Sequence, residues 1–352
     1  MVQRELYMNK IRPLIDNELI KVITGIRRCG KSYILNLIIE ELKKEGINEE
    51  NIILINLEDI KYNTIEDYKQ LDELVLNLTE NIKGKIYLLF DEIQNVKHWE
   101  KSINAYRVSF DCDIYITGSN SKLLSGELAT YLTGRYKEIK IYPFSFNEFV
   151  NYKTDKNPKM KENMDFYKKE LFKEYLNYGG MPITFSLDEM EKINYLEDLF
   201  NSILFKDVLR RYSIKKINIL KRLALFLMDN ISNSFSANSI SKYFKSNNTK
   251  IDDKSIQKYA NYIEESCLII KAEQENIKRK EILTRTPKYY LTDHGFKLAL
   301  NREFHKDIGK IIENIVFLEL LRHDYKVTVG KIKNYEIDFI ARKKRVTHNF
   351  CV

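Results

Sequence analysis

An α/β fold built on a parallel sheet is what this sequence predicts, and three observations predict it. Short apolar runs alternate with stretches of helical spacing over the first 150 residues, the pattern of strands covered by helices on both faces. The first run passes straight into a glycine-bounded turn, Gly25 to Gly30, and then into a helix. A later run, Ile86-Tyr87-Leu88-Leu89-Phe90, ends in two adjacent carboxylates, Asp91 and Glu92.

The elements follow in order. Residues 1–16 predict a short amphipathic helix, with Leu6, Ile11 and Leu14 among its apolar positions. Leu19 to Thr24 reads as a strand and Ser32 to Lys44 as a helix. After the break at Gly46, Asn51 to Asn56 is a second strand, and Leu71, Leu74 and Leu78 mark a helix over 64–82. Ile86 to Phe90, Ile114 to Thr117 and Ile139 to Tyr142 are further strands.

Beyond Pro143 the pattern changes to helical spacing over 146–232, interrupted mainly by Gly179-Gly180-Met181-Pro182. Residues 236–291 read as helix, turn, helix and two strands. From 305 the chain offers a helix, Ile308 to Arg322, and strands at Tyr325 to Val329 and Tyr335 to Ala341. The expected divisions are a core at 1–150, a helical lid at 151–205, a third region at 206–300 and an end region at 305–352.

Composition narrows the function. With 352 residues, 44% of them hydrophobic, the chain has the means for a real core and is neither disordered nor fibrous. A formal net charge of +8 tolerates nucleic acid or an acidic surface as partner without demanding either. The four cysteines, Cys29, Cys112, Cys267 and Cys351, lie far apart with no C-x-x-C pair, which argues against a disulfide scaffold or a cysteine zinc site and for a reducing interior. No apolar run reaches the roughly 18 residues of a membrane span. Residues 1–12 lack the apolar stretch of a signal peptide. A cytoplasmic protein without a membrane partner is the expectation.

The turn matches G-x-x-x-x-G-K-[ST] at every position: Gly25-Ile26-Arg27-Arg28-Cys29-Gly30-Lys31-Ser32, with Tyr33 next in the helix. Glycines let such a loop wrap so that backbone N–H groups face phosphates, and the following helix dipole favours their charge. Lys31 is placed to reach the β- and γ-phosphates and Ser32 to ligate Mg²⁺, so ATP with Mg²⁺ is the expected ligand. Asp91 suits a second hold on the metal, and Glu92 the polarisation of an attacking water. Ser119 or Asn120, where Ile116-Thr117-Gly118 runs out into polar residues, would orient water or touch the γ-phosphate; a simple polar turn explains them equally. Arg135 is a candidate finger for a neighbouring subunit's γ-phosphate in a homo-oligomer, or else a structural pairing.

Taken together these stretches resemble one family. Ile23 to Ser32, Phe90-Asp91-Glu92-Ile93-Gln94, Ile116 to Ser121, Gly134-Arg135 followed by Pro143-Phe144-Ser145-Phe146-Asn147-Glu148-Phe149, and Gly179 to Pro182 are similar to the motifs of an AAA-type P-loop ATPase group common in archaea and anaerobic bacteria. That group carries a C-terminal region known as domain of unknown function 4143. The resemblance covers nearly the whole chain and implies a P-loop NTPase sheet with a helical lid, then a winged-helix region and a partial, nuclease-like α/β end.

In the winged-helix reading, Ile217 to Ile231, Ala237 to Phe244 and Lys254 to Glu265 are its helices. Residues 241–288 hold eleven Lys and Arg against seven Asp and Glu. Lys254 and Lys258 are placed to meet DNA phosphates and Asn261 to reach a base edge; a protein-docking module with a solvated basic face is the alternative. Glu313 with Glu336-Ile337-Asp338 resembles the acidic part of a restriction-type nuclease core, which also needs a lysine on the next strand. No acid follows Asp338, and Lys343 and Lys344 lie at the end of the strand that carries it. A truncated copy without DNA cleavage is therefore expected. The function this adds up to is a Mg²⁺-dependent ATPase that couples nucleotide state to a C-terminal DNA- or protein-binding region. The alternative is a nucleotide-switched DNA-binding or adaptor module with little turnover.

Overall fold

A computed structural model describes residues 2–352 apart from 120–131, 133, 215, 277–280, 301–306, 333–334 and 344–345. The chain divides into two compact units, Met1–Ile141 and Tyr142–Val352.

The first unit holds α1 (Glu5–Ile11), β1 (Ile20–Thr24), α2 (Lys31–Lys44), β2 (Ile52–Asn56), α3 (Tyr68–Thr79), β3 (Ile86–Asp91), α4 (Trp99–Ser109), β4 (Cys112–Gly118) and β5 (Tyr136–Lys140). The five strands form one sheet in the order β2-β3-β4-β1-β5, parallel throughout. Every residue of β1 and of β3 is buried, which is why these strands read as unbroken apolar runs rather than as alternations. Val22, Leu88, Phe90 and Ile116 meet Leu71, Trp99 and Ile103 from the covering helices in one core. Helix α3 begins at a capping box in which Asp67 accepts the Gln70 N–H and the Gln70 side chain accepts the Asp67 N–H.

A buried polar pair lies on the other face of this sheet from that core. Lys21 of β1 donates to Asp113 of β4, and neither side chain is exposed. Asp113 also accepts from the Tyr115 hydroxyl and the Asp16 N–H, and Lys21 from its side donates to Asn17 O.

The second unit opens with α5 (Phe146–Lys156), α6 (Met164–Tyr178), α7 (Glu189–Ser202) running into a π-helical stretch (Ile203–Arg210), α8 (Ile217–Asp229), α9 (Ala237–Ser246) and α10 (Asp253–Glu265). It continues with β6 (Ile269–Asn276), β7 (Glu281–Leu291), α11 (Gly295–Leu300), α12 (Ile308–Arg322), β8 (Lys326–Ile332), β9 (Tyr335–Lys343) and β10 (Val346–Phe350). The sheet order is β10-β9-β8-β6-β7, antiparallel except between β6 and β8. The rings of Tyr290 and Phe317 stack at 4.1 Å over its face, beside Phe339.

A buried knot joins distant parts of this unit. Asp293 accepts the N–H groups of Gly180 and Gly295, each at 2.8 Å. His294 lies 2.6 Å from Tyr175 O, and Arg322 donates to Pro143 O and Phe144 O. Gly180 has no alternative, because a Cβ there would meet Phe144 O at 2.1 Å. Burial raises the Asp293 pKa to about 6 against the pull of its two N–H donors, and burial lowers that of His294 to about 4.

Several elements differ from expectation. The first helix ends at Ile11, where Pro13 lets only a short 3₁₀ turn follow. The strand expected at 139–142 lies at Tyr136–Lys140, since polar residues on an edge strand gave no apolar signal. The helical stretch 146–232 is cut at Asn157 and Leu187 as well as at the Gly179 turn. Strand β10 was not expected; its exposed Val-Thr-His-Asn-Phe run carries no apolar pattern.

Candidate functional site

The phosphate loop spans the gap between β1 and α2 and depends on backbone that side chains resist. Gly25 has φ 154°, Arg28 68° and Gly30 104°. A Cβ on Gly25 would sit 2.3 Å from Ile141 O and 2.9 Å from Cys29 Sγ, so position 25 admits only glycine. Ile26 and Cys29 turn inward and are fully buried, with the Cys29 N–H on Ile26 O and its thiol 3.6 Å from Ile141 O. Arg27 lies half-buried, 3.7 Å from Glu58, while Arg28 and Ser32 face solvent and Tyr33 donates its hydroxyl to Val2 O. Helix α2 starts at Lys31, which aims the first-turn N–H groups and the positive end of the dipole into the loop.

Lys31 is 4% exposed. Its ammonium donates to Ile26 O at 3.3 Å and stands 3.5 Å from Glu92 Oε1. Asp91 and Glu92 end β3, and the chain turns sharply there, with Glu92 in left-handed backbone at φ 54°. Burial works against the Glu92 carboxylate, but Lys31, the Gln94 side-chain amide and Arg27 outweigh it and hold its pKa below the usual value.

Thr117 of β4 organises both acids, a role the sequence reading did not assign. Its hydroxyl donates to Asp91 and accepts the Glu92 N–H at 3.0 Å. The signal for it was only its place beside the acid-bearing strand. Arg4 was missed altogether. It is 2% exposed and donates to Cys29 O, far from any motif in sequence.

Beyond β4 the Ser119 hydroxyl is buried and finds no partner among the described residues. An orphaned hydroxyl at the carboxyl end of the strand beside the loop fits a ligand oxygen there. Together with the loop and the cation it could serve a nucleoside triphosphate. Ser32 and Asp91 carry oxygens of the kind that could hold a Mg²⁺ ion. Asn120 lies outside the described residues. Arg135 is exposed and donates to the Asn104 side chain at 2.9 Å.

In the second unit the exposed Lys254, Lys258 and Asn261 share helix α10, where Asn261 accepts from Gln257. The acids of the end region are engaged by their own fold. Lys288 of β7, 3% exposed, reaches Glu313 at 3.3 Å and Glu336 at 2.9 Å. Tyr290 donates to Glu313 at 2.7 Å, and Asp338 accepts the Val352 N–H at 2.8 Å. The lysine that meets Glu313 and Glu336 comes from a strand earlier in the chain, not from one after Asp338.

Comparison with known proteins bears on these regions. Residues 17–150 match the AAA domain family, and residues 169–307 match domain of unknown function 8612. The second match corrects the expectation of domain 4143. An uncharacterized protein of Haemophilus influenzae is 41% identical over 344 residues, covering 97% of this chain and 84% of its own. One from Methanocaldococcus jannaschii is 37% identical over 337 residues, covering 93% and 73%. Among solved structures, the Orc1 protein of Aeropyrum pernix in complex with DNA aligns over 87% of this chain and 93% of its own, at 10% identity and a TM-score of 0.39. That likeness is too slight to carry an argument.

Proposed function

The chain belongs to one family with these Haemophilus and Methanocaldococcus proteins and carries an AAA domain, and on that premise we propose that it binds Mg·ATP at Gly25–Ser32 and hydrolyses it. The observation that carries this reading is the meeting at 3.5 Å of Lys31, which opens α2 after the loop, and Glu92, which follows the end of β3. Phosphate transfer needs a cation and an acid within reach of one phosphate, and this pair lies beside the glycine-bounded loop.

The loop N–H groups bind the phosphate oxygens, and Lys31 exchanges Ile26 O and Glu92 for the β- and γ-phosphates. Ser32 and Asp91 would hold Mg²⁺, whose charge would offset that of the phosphates. Released from Lys31, Glu92 accepts a hydrogen bond from the attacking water and orients it. Its position is set by the Thr117 hydroxyl, which holds the Glu92 N–H and the Asp91 carboxylate at once. Ser119 donates to the γ-phosphate; Asn120 is the alternative candidate for that role. Arg135 reaches a neighbouring subunit's nucleotide by leaving Asn104. Steady-state release of phosphate by wild type, Lys31→Ala and Glu92→Gln tests the assignment. Equal rates in all three would overturn it.

The nucleotide state is read out through residues 142–352. Lys254 and Lys258, exposed one turn apart on α10, favour DNA as the partner of that region. DNA affinity that falls with salt and drops in the Lys254→Ala, Lys258→Ala double variant supports this; salt-independent binding of a protein partner there supports the adaptor reading.

A further inference from the structure

We infer that Arg4, which lies ahead of the first strand, is a positioning residue of the phosphate loop: it locks the Cys29–Gly30 peptide so that the Gly30 N–H faces the bound phosphate. The inference rests on the reading of Gly25–Ser32 as a nucleotide site and adds a residue to it that lies outside the loop motif.

Arg4 is among the largest fully buried side chains of the protein. Its Nη1 donates to Cys29 O at 3.1 Å, and the same nitrogen is 3.6 Å from where a Gly30 side chain would begin. In a trans peptide the C=O and the following N–H point in opposite directions. Holding Cys29 O outward against the guanidinium therefore turns the Gly30 N–H to the other side, into the curve of the loop. Cys29 is tied at its other groups as well, by its N–H to Ile26 O and by its thiol to Ile141 O. Arg4 completes the set at the peptide that joins Cys29 to Gly30.

The arginine is itself held firmly. Its guanidinium lies 4.6 Å over the ring of Tyr7, which is fully buried. Its carbonyl accepts the N–H groups of Tyr7 and Met8 at the start of α1, and its backbone is left-handed at φ 40°. Two residues earlier, Val2 O takes the Tyr33 hydroxyl from α2. The segment is thus fastened to both sides of the loop-helix junction. Burying a guanidinium is costly unless it is well paired. Beside a site for a polyanion the same charge acts in favour of binding, and a planar fork keeps direction as well as charge.

The test uses the full chain and titrates Mg·ADP by calorimetry. Arg4→Met is expected to weaken binding by about tenfold or more, and Arg4→Lys by a smaller factor, since it keeps the charge but not the fork. In steady state the KM for ATP should rise while kcat changes little, because a ground-state phosphate contact is what is lost. In Arg4→Ala, guanidinium at about 10 mM, far below denaturing levels, should restore Mg·ADP affinity, and methylammonium at the same concentration should not. A general structural role would not be repaired in this way.

Binding by Arg4→Met and Arg4→Ala within twofold of wild type overturns the inference, as does rescue by methylammonium equal to that by guanidinium. Should both of those variants fail to fold, Arg4→Lys decides by the same twofold criterion. Lys31→Ala is titrated in parallel. If it keeps wild-type affinity, the site assignment itself fails, and that failure is distinct from the failure of Arg4.

Discussion

The ammonium of Lys31 stands 3.5 Å from a carboxylate oxygen of Glu92, so a buried cation and a buried acid occupy each other. On the proposed function, Mg·ATP separates them. Binding should therefore be felt at Glu92 even though the nucleotide is held chiefly by the loop.

Lys31→Ala is expected to abolish tight Mg·ATP binding while the fold survives. Ligand stabilisation goes as RT ln(1 + [L]/Kd), about 2.7 kcal/mol at a hundredfold excess over Kd. Saturating Mg·ATP should raise the melting temperature of the wild type and leave that of the variant unmoved. Equal shifts would remove Lys31 from the site.

Glu92→Gln keeps shape and hydrogen bonding but removes the charge. It should bind ATP about as well as wild type and turn it over at least about tenfold more slowly, a loss of roughly 1.4 kcal/mol or more. Unchanged hydrolysis would make Glu92 a structural partner of Lys31 alone.

The Lys21–Asp113 pair gives a test of order. Asp113→Ala strands a buried ammonium and should cost about 3–5 kcal/mol. Lys21→Met should cost less, because Asp113 keeps the Tyr115 hydroxyl and the Asp16 N–H. Burial also lowers the Lys21 pKa despite the opposing pull of Asp113, so the Asp113→Ala defect should shrink as pH rises and the lysine sheds its proton. Chemical denaturation at neutral and alkaline pH measures both effects, and the reverse order of the two variants would contradict the pairing.

Asp293 and His294 set up an opposed pH response. The Asp293 pKa is raised from 3.8 to about 6, so its contribution is full below 3.8 and is lost as pH rises through 6. The His294 pKa is lowered from 6.5 to about 4, so the unfolded state takes up the proton first and stability falls between pH 6.5 and 4. Within that window each acts with a limiting slope of about 1.4 kcal/mol per pH unit, in opposite senses. Relative to wild type, His294→Gln should gain stability on acidification from pH 6.5 to 4, and Asp293→Asn should lose it. Parallel pH profiles for the three proteins would show that neither group titrates in the knot.

The first unit was legible in the sequence because its physics is local. Val22, Leu88 and Ile116 sit in strands buried on both faces, and Gly25, Gly30 and Lys31 are adjacent residues whose spacing states their task. What was not legible depends on contacts across the chain. Arg4 meets Cys29 over 25 positions, and nothing in a lone arginine near the start announces a phosphate loop. Thr117 looked like the last residue of a strand until β4 lay beside β3 and brought it to Asp91 and Glu92. Lys288 is separated from Glu336 by strands that only pairing brings together. β10 was missed because exposed strands carry no apolar alternation.

The carbonyl of Ile141 accepts the Cys29 thiol and fills the space a side chain at Gly25 would need, and its own N–H is fastened to Thr24 O at 2.7 Å. Ile141 is the last residue of the first unit, and Tyr142 the first of the second. Mechanically this is a tether without slack. Any shift of the loop that moves Cys29 must either break the thiol's hold on that carbonyl or drag the last residue of the first unit along.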